Sequence, residues 1–393
     1  MPEGALPVLR RCVRLLRRRV ARLIELAFFL PFDACVLAAA PRASTSPRSA
    51  IVHVELLGDY VLWRPYGHVL ARQLRAAGHD VAIVLERGVM PLAAADFPGC
   101  SLIGIGRRAM VRQPMQRAAM LRRLRALGVR RTIMTSHPRD ALVHDAAVRA
   151  LGAPAIGFDA GFVDRPALDL RWHRRLYARL LAAPPGLHQT QRHAELLRAC
   201  GITERTAPSP PLVTETVLDA PYFVVAAGAS VDVKRWPAAR FIAAALHVLE
   251  RRPHWRVVLL GAAAERGLGA ELASALGERV IDLCGDTSLP QFAQWIAGAK
   301  LVLANDSAAA HFAAAAGVAA VTVVGGGQFA RCLPYAPDTA CLRPPTVVAE
   351  PMPCFGCDWM CRYRLSPSGA FRCIDAVSAD AVCAALDAAL DAD

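Results

Sequence analysis

Lys234 is one of only two lysines, with Lys300, among 46 basic side chains, and it closes the run Tyr222-Phe-Val-Val-Ala-Ala-Gly-Ala-Ser230-Val-Asp-Val-Lys234-Arg-Trp-Pro237. An ammonium is a compact, mobile point charge and a guanidinium a planar fork, so a site that must follow a phosphate through a reaction favours lysine. A composition biased to arginine also leaves an occasional lysine on a surface, and Lys300 fits that account. The neighbours of Lys234 separate the two readings. Gly228-Ala229-Ser230 offers small residues through which backbone N–H groups reach an anion. Glu265 follows Leu259-Leu-Gly261 at the opening of a helix, where a carboxylate either holds ribose hydroxyls or simply favours the helix dipole. Asn305-Asp306-Ser307-Ala308 leads from an apolar run into a helix whose free N–H groups suit a phosphate, with His311 one turn in. A lone histidine on an alanine-rich helix is more often packed than functional. Gly325-Gly-Gly327 again permits close backbone approach.

A second group of reactive side chains is Cys354-x2-Cys357-x3-Cys361-x11-Cys373. Four thiolates at short spacing suit a structural Zn site or an iron–sulfur cluster. Reduced thiols and disulfides remain the alternatives. The other eight cysteines lack ligand-like spacing.

The elements that must position these residues read as alternating strands and helices. Strands are expected at 50–54, 81–85, 132–134 and 155–158, then at 223–226, 256–261, 280–283, 301–304 and 320–324, with helices between them, including one from Val61 to Ala77. Such alternation makes parallel sheets covered on both faces, with ligands beyond the carboxyl ends of the strands. The 393 residues exceed one ordinary core. The Ser- and Pro-containing stretch 41–48 and the proline-rich stretch 184–221 punctuate the chain. The expected parts are a basic amphipathic segment and linker (1–48), a first Rossmann-like domain (49–212), a second (213–345), and a cysteine-rich segment with a C-terminal helix (346–393). A cleft between the two sheets is the natural site. No G-x-G-x-x-G follows a first strand and no P-loop occurs, which argues against nicotinamide and P-loop chemistry.

Hydrophobic residues at 54% and charged residues at 20% describe a globular chain, and the net charge of +13 calls for an anionic partner. Residues 1–50 hold nine arginines against Glu3, Glu25 and Asp33. From Leu9 to Phe29 the apolar spacing is roughly helical, so this reads as a basic amphipathic helix lying on an anionic membrane surface, or else packed on the protein itself. Glu25, Pro31 and Asp33 interrupt any transmembrane span, and the apolar run is too broken for a signal peptide. Nucleic acid is not expected as a partner, because no binding motif accompanies the charge.

Gly58-Asp59, Lys234-Arg-Trp-Pro237, Leu-Leu-Gly261…Glu265, Asp282-Leu-Cys-Gly-Asp-Thr-Ser-Leu-Pro290 and Asn305-Asp-Ser307…His311-Phe-Ala-Ala-Ala-Ala-Gly-Val318 together resemble glycosyltransferase family 9, the lipopolysaccharide heptosyltransferases. The resemblance spans about residues 50–390. It implies a GT-B fold of two facing Rossmann-like domains and an inverting transferase, peripheral to the cytoplasmic face of the inner membrane. The implied reaction moves heptose from a nucleotide sugar, ADP-heptose, to a lipid-linked saccharide acceptor such as the lipopolysaccharide core, with no cofactor required for catalysis. Asp59 matches the catalytic base. Ser230 and Lys234 match diphosphate contacts, Lys234 stabilising the departing nucleoside diphosphate. Glu265 matches the ribose-binding position and Asp306 the donor-sugar position, while Ser307, Ala308 and His311 match the phosphate end. Ala308 stands where the family usually has glycine, and Ala229 where some members have a hydroxyl. Those departures leave room for a nucleotide-sugar-binding protein without transfer, and the same architecture also serves epimerases. Acceptor recognition falls to the less patterned stretches around Trp63-Arg64, His137-Pro-Arg139 and Asp159–Arg165.

Overall fold

A computed structural model describes residues 5–41, 47–159, 174–184, 186–204, 218–339 and 341–392, with the backbone alone for 5–16, 18 and 19. The 208–211 proline run, most of the 41–48 linker and all of 159–165 except Asp159 lie outside the described residues. The chain divides into two compact units, Met1–Ala207 and Pro208–Asp393.

Unit 1 is built on six parallel strands: β1 (Arg48–His53), β2 (Asp80–Glu86), β3 (Ser101–Ile105), β4 (Arg131–Met134), β5 (Ala155–Phe158) and β6 (Tyr177–Leu181). Their order is β3-β2-β1-β4-β5-β6. Unit 2 has another six: β7 (Tyr222–Ala226), β8 (Arg256–Leu259), β9 (Val280–Asp282), β10 (Leu301–Asn305), β11 (Ala319–Val323) and β12 (Thr346–Val348). They are also parallel, in the order β12-β11-β10-β7-β8-β9. Both sheets are therefore doubly wound in the same sense, and the strand order reverses between β1 and β4 and between β7 and β10. A reversal of this kind opens a crevice at the strands' carboxyl ends, where ligands of such sheets bind.

The central strands are buried on both faces, with every residue of β7, β10 and β11 enclosed, which is why they read as unbroken apolar runs. Strands β3, β6 and β12 were not anticipated. All three lie at sheet edges, where one side meets solvent: β6 exposes Ala178 and Arg179, and β12 has only three residues.

The first helix spans Ala5–Ala38, longer than the expected Leu9–Phe29. Its second half buries Leu26, Phe29, Asp33, Val36 and Leu37 on unit 1, a stripe at helical spacing. Asp33 closes a buried bidentate pair with Arg117 (Nε to Oδ1 and Nη2 to Oδ2, both 2.6 Å), and Arg117 Nη1 also donates to the carbonyls of Met110 and Leu142 at 2.6 Å. A residue that interrupts a membrane span in the sequence is thus the anchor of the helix in the fold. On the opposite face Val20, Leu23, Ile24 and Phe28 are exposed. Among the described residues no helix is long and apolar enough to cross a membrane. At the other end of the chain, the helix Ala379–Asp391 buries Val382, Leu386 and Leu390 in the core of unit 2 beside the helix Ala238–Arg251.

Candidate functional site

In unit 2 the predicted donor residues gather at the carboxyl ends of β7, β8 and β10. Asn305, fully buried at the end of β10, ties them together. Its Nδ2 donates to the carbonyls of Ala227 (2.7 Å) and Gly228 (3.3 Å), and its Oδ1 accepts from the Trp236 N–H (3.0 Å). One amide thereby fixes both ends of the loop that carries Ser230 and Lys234. Ser230 is exposed, and Lys234 ends the short turn Asp232–Lys234 with its side chain half-buried. Burial holds the Lys234 pKa below the ordinary lysine value; Asp306 and Asp358 pull it up and Arg331 pushes it down. Lys234 therefore sits among two carboxylates and a guanidinium, with its Nζ 3.8 Å from the ring centre of Trp359.

Glu265 lies flat against the strand ends. A Cβ on Gly228 would stand 1.8 Å from its Oε1, and one on Gly261 2.8 Å from its Oε2, so both glycines are required for the carboxylate to lie there. The same carboxylate accepts from the Ala262 N–H at 2.7 Å, so part of its capacity closes its own turn. Asp306 follows β10, and Ser307 is the N-cap of the helix Ala308–Ala316 without a side-chain capping bond. The helix start is thus not capped by the Ser307 hydroxyl, and Ala308 is its first residue. His311 is buried and packed: its ring stacks on Tyr335 at 5.7 Å, and its Nδ1 lies 2.8 Å from the Tyr335 hydroxyl.

Gly325-Gly-Gly327 corrects an expectation. The glycines do admit a close approach, but the approaching groups belong to the chain: a Cβ at Gly326 would stand 2.1 Å from Phe355, and one at Gly327 2.2 Å from Trp359. The cysteine segment lies on this strand end. Gly356 N–H donates to Gly326 O and Asp358 N–H to Gly327 O, both at 2.7 Å. Cys354, Cys357, Cys361 and Cys373 are free thiols in one neighbourhood. Burial raises the Cys357 and Cys373 thiols, opposed in part by N–H contacts from Trp359 and Gly326 respectively. Among the described residues, however, no three or more His, Cys, Asp or Glu side chains converge as a metal site.

In unit 1, Asp59 is the third residue of a helix that begins at Leu57, four residues before the expected Val61. It stands just past the end of β1, beside the point where the strand order reverses. Beneath it lies a group of histidines that sequence reasoning passed over. His53, the last residue of β1, stacks on Trp63 (4.3 Å between ring centres), shares Nδ1 with Thr135 Oγ1 at 2.8 Å and meets the backbone of Asp59. His193 lies 5.8 Å from it, ring to ring. His144 holds the Val54 carbonyl at 2.9 Å and lies 3.6 Å from Glu55, which also faces Arg107 at 3.4 Å. Burial is the main cause that holds all three imidazoles neutral, pushing His144 down to about 4 and His193 to about 3, with His53 well below the usual value.

The acceptor stretches behave differently from expectation. Trp63 and Arg64 lie inside the helix Leu57–Ala76 and are buried, Arg64 being held by both oxygens of Asp96 at 2.6–2.7 Å. Arg139 is buried as well, paired with Asp145 and donating to Phe158 O. These arginines build unit 1 and are not presented to a ligand.

Two doubly wound units of six parallel strands each have the architecture of the GT-B class. The model of glycosyltransferase family 9 (heptosyltransferase) matches residues 162–357, and the chain belongs to that family. No curated protein matches the sequence. Among solved structures, a family 9 glycosyltransferase from Veillonella parvula is 18% identical with a TM-score of 0.65, covering 89% of this chain and 98% of its own. The Escherichia coli heptosyltransferase WaaC, solved with ADP-2-deoxy-2-fluoro heptose, is 20% identical with a TM-score of 0.60, covering 87% and 99%. The iron-containing dodecameric glycosyltransferase TibC from enterotoxigenic E. coli is 14% identical with a TM-score of 0.52, covering 90% and 78%.

Proposed function

We propose that the chain transfers a heptose from ADP-heptose, with inversion, to a lipid-linked saccharide at the cytoplasmic face of the inner membrane. The observation that carries this reading is the cluster of unit 2, where Lys234, Asp306, Glu265 and the start of the helix at Ala308 stand at neighbouring strand ends, with the Lys234 loop fixed by Asn305. A heptosyltransferase solved with an ADP-heptose analogue shares the fold and supports the choice of donor. In this reading Glu265 holds ribose hydroxyls, Asp306 holds the donor sugar, and Ser230, Ser307 and the helix start bind the diphosphate. Lys234 neutralises the charge that grows on the departing ADP, and Asp59 takes the proton of the attacking acceptor hydroxyl. Membrane contact is assigned to the exposed apolar stripe Val20, Leu23, Ile24 and Phe28, with the arginines around it.

A mass-spectrometric screen of ADP-, GDP- and UDP-sugars tests the donor, and the expected result is turnover of ADP-heptose alone. Equal turnover of a UDP-hexose would overturn that choice. For the mechanism, Asp59→Asn is expected to lower kcat by about 10²- to 10⁴-fold with little change in donor KM. Undiminished turnover removes Asp59 as base.

A further inference from the structure

The cysteine-bearing segment reaches Lys234 through two neighbouring side chains, Asp358 and Trp359. Trp359 lies between Gly327, whose missing Cβ makes room for its ring, and Lys234, whose Nζ sits 3.8 Å from the ring centre. The other aromatic neighbour is Phe371, stacked at 5.7 Å and 23°, and the Phe371 N–H in turn donates to Val233 O next to Lys234 at 2.8 Å. Trp359 and Asp358 both adopt left-handed backbone conformations (φ 61° and 48°), which side-chain-bearing residues occupy at a cost unless their surroundings enforce it. The enforcement is visible. Asp358 N–H is held by Gly327 O, and Gln328 Nε2 donates to Asp358 Oδ1 at 2.6 Å. A segment held in strained geometry thus presents a π face to the lysine that the proposed reaction uses.

We propose that Trp359 is a positioning residue of the donor site: its ring holds the Lys234 ammonium ready for the diphosphate, making segment 354–361 a working part of that site. This rests on the reading of Lys234 as a diphosphate contact. A free lysine side chain samples many rotamers, and ordering it costs binding energy. A ring beneath the ammonium restricts its rotamers beforehand, adding a face contact to the pull of Asp306 and Asp358. An aliphatic side chain in place of the ring would leave the ammonium without that face contact.

The test is a double-mutant cycle read by calorimetry with ADP as the probe. Trp359→Leu is expected to weaken ADP about tenfold, and Trp359→Phe to restore most of the loss. In a Lys234→Met background, Trp359→Leu should add less than a twofold loss. An equal loss in both backgrounds means that the tryptophan only supports the loop and overturns the proposal, as does unchanged ADP binding in Trp359→Leu. Should Trp359→Leu fail to fold, a trifluorinated tryptophan placed at 359 keeps the shape and removes the charge on the ring face. It should weaken ADP several-fold, and wild-type binding would overturn the proposal. Unchanged ADP binding in Lys234→Met alone overturns the donor-site reading itself, a result distinct from failure of the Trp359 coupling.

Discussion

Lys234 and the buried histidines show environment deciding what a side chain does. Each imidazole in the group under Asp59 has a folded-state pKa below the ordinary 6.5, so an unfolded chain takes up protons first as pH falls. Their contribution to stability is therefore complete above about pH 6.5 and is lost as pH drops toward 4 for His144 and toward 3 for His193. Each contributes a slope of up to about 1.4 kcal/mol per pH unit in that window. The urea midpoint should fall between pH 7.5 and 5, and His193→Leu should flatten the decline; a midpoint constant to pH 5 refutes it. Lys234 differs, because its lowered pKa brings loss of the positive charge to a lower pH than for an exposed lysine. At this scale much of the cluster proposed as a donor site was legible in the sequence. The rarity of lysine and the small residues before it marked Lys234, but Trp359 carries no signal in spacing, since its role comes from a chain reversal that no local pattern encodes.

Among the elements, the end of β11 makes the sharpest demand. Phe355 and Trp359 lie on Gly326 and Gly327 so closely that any side chain must displace them. Gly326→Ala should cost about 1–3 kcal/mol by overpacking and weaken donor binding with it, seen as a lower melting temperature and a higher donor KM. Wild-type values for both would mean that the cysteine segment lifts away without consequence. The need for glycine was readable in the sequence; what fills the space was not, because triple glycine admits a ligand or a ring equally well. Edge strands β3, β6 and β12 were hidden for a related reason, since a strand covered on one side lacks the unbroken apolar run that marked the central ones.

For the whole molecule the dominant quantity is charge. A net +13 with nine arginines in the first fifty residues, beside an exposed stripe of Val20, Leu23, Ile24 and Phe28, favours an anionic surface over a neutral one. Vesicles containing phosphatidylglycerol should bind the protein, vesicles of phosphatidylcholine alone should bind far less, and raising salt from 0.1 to about 0.5 M should release most of it. Phe28→Ser with Ile24→Ser should weaken binding several-fold without changing turnover of a water-soluble acceptor. Equal binding to both vesicle types would remove the membrane role.

The Asp33–Arg117 pair gives the leading helix a division of labour. A shortened chain that starts near residue 20 keeps the carboxylate, while one that starts at 41 strands a guanidinium in the core with two carbonyls for company. Breaking such a pair costs about 3–5 kcal/mol, a large share of what a domain has. The second half of the helix must therefore be inherited together with the sheet it leans on.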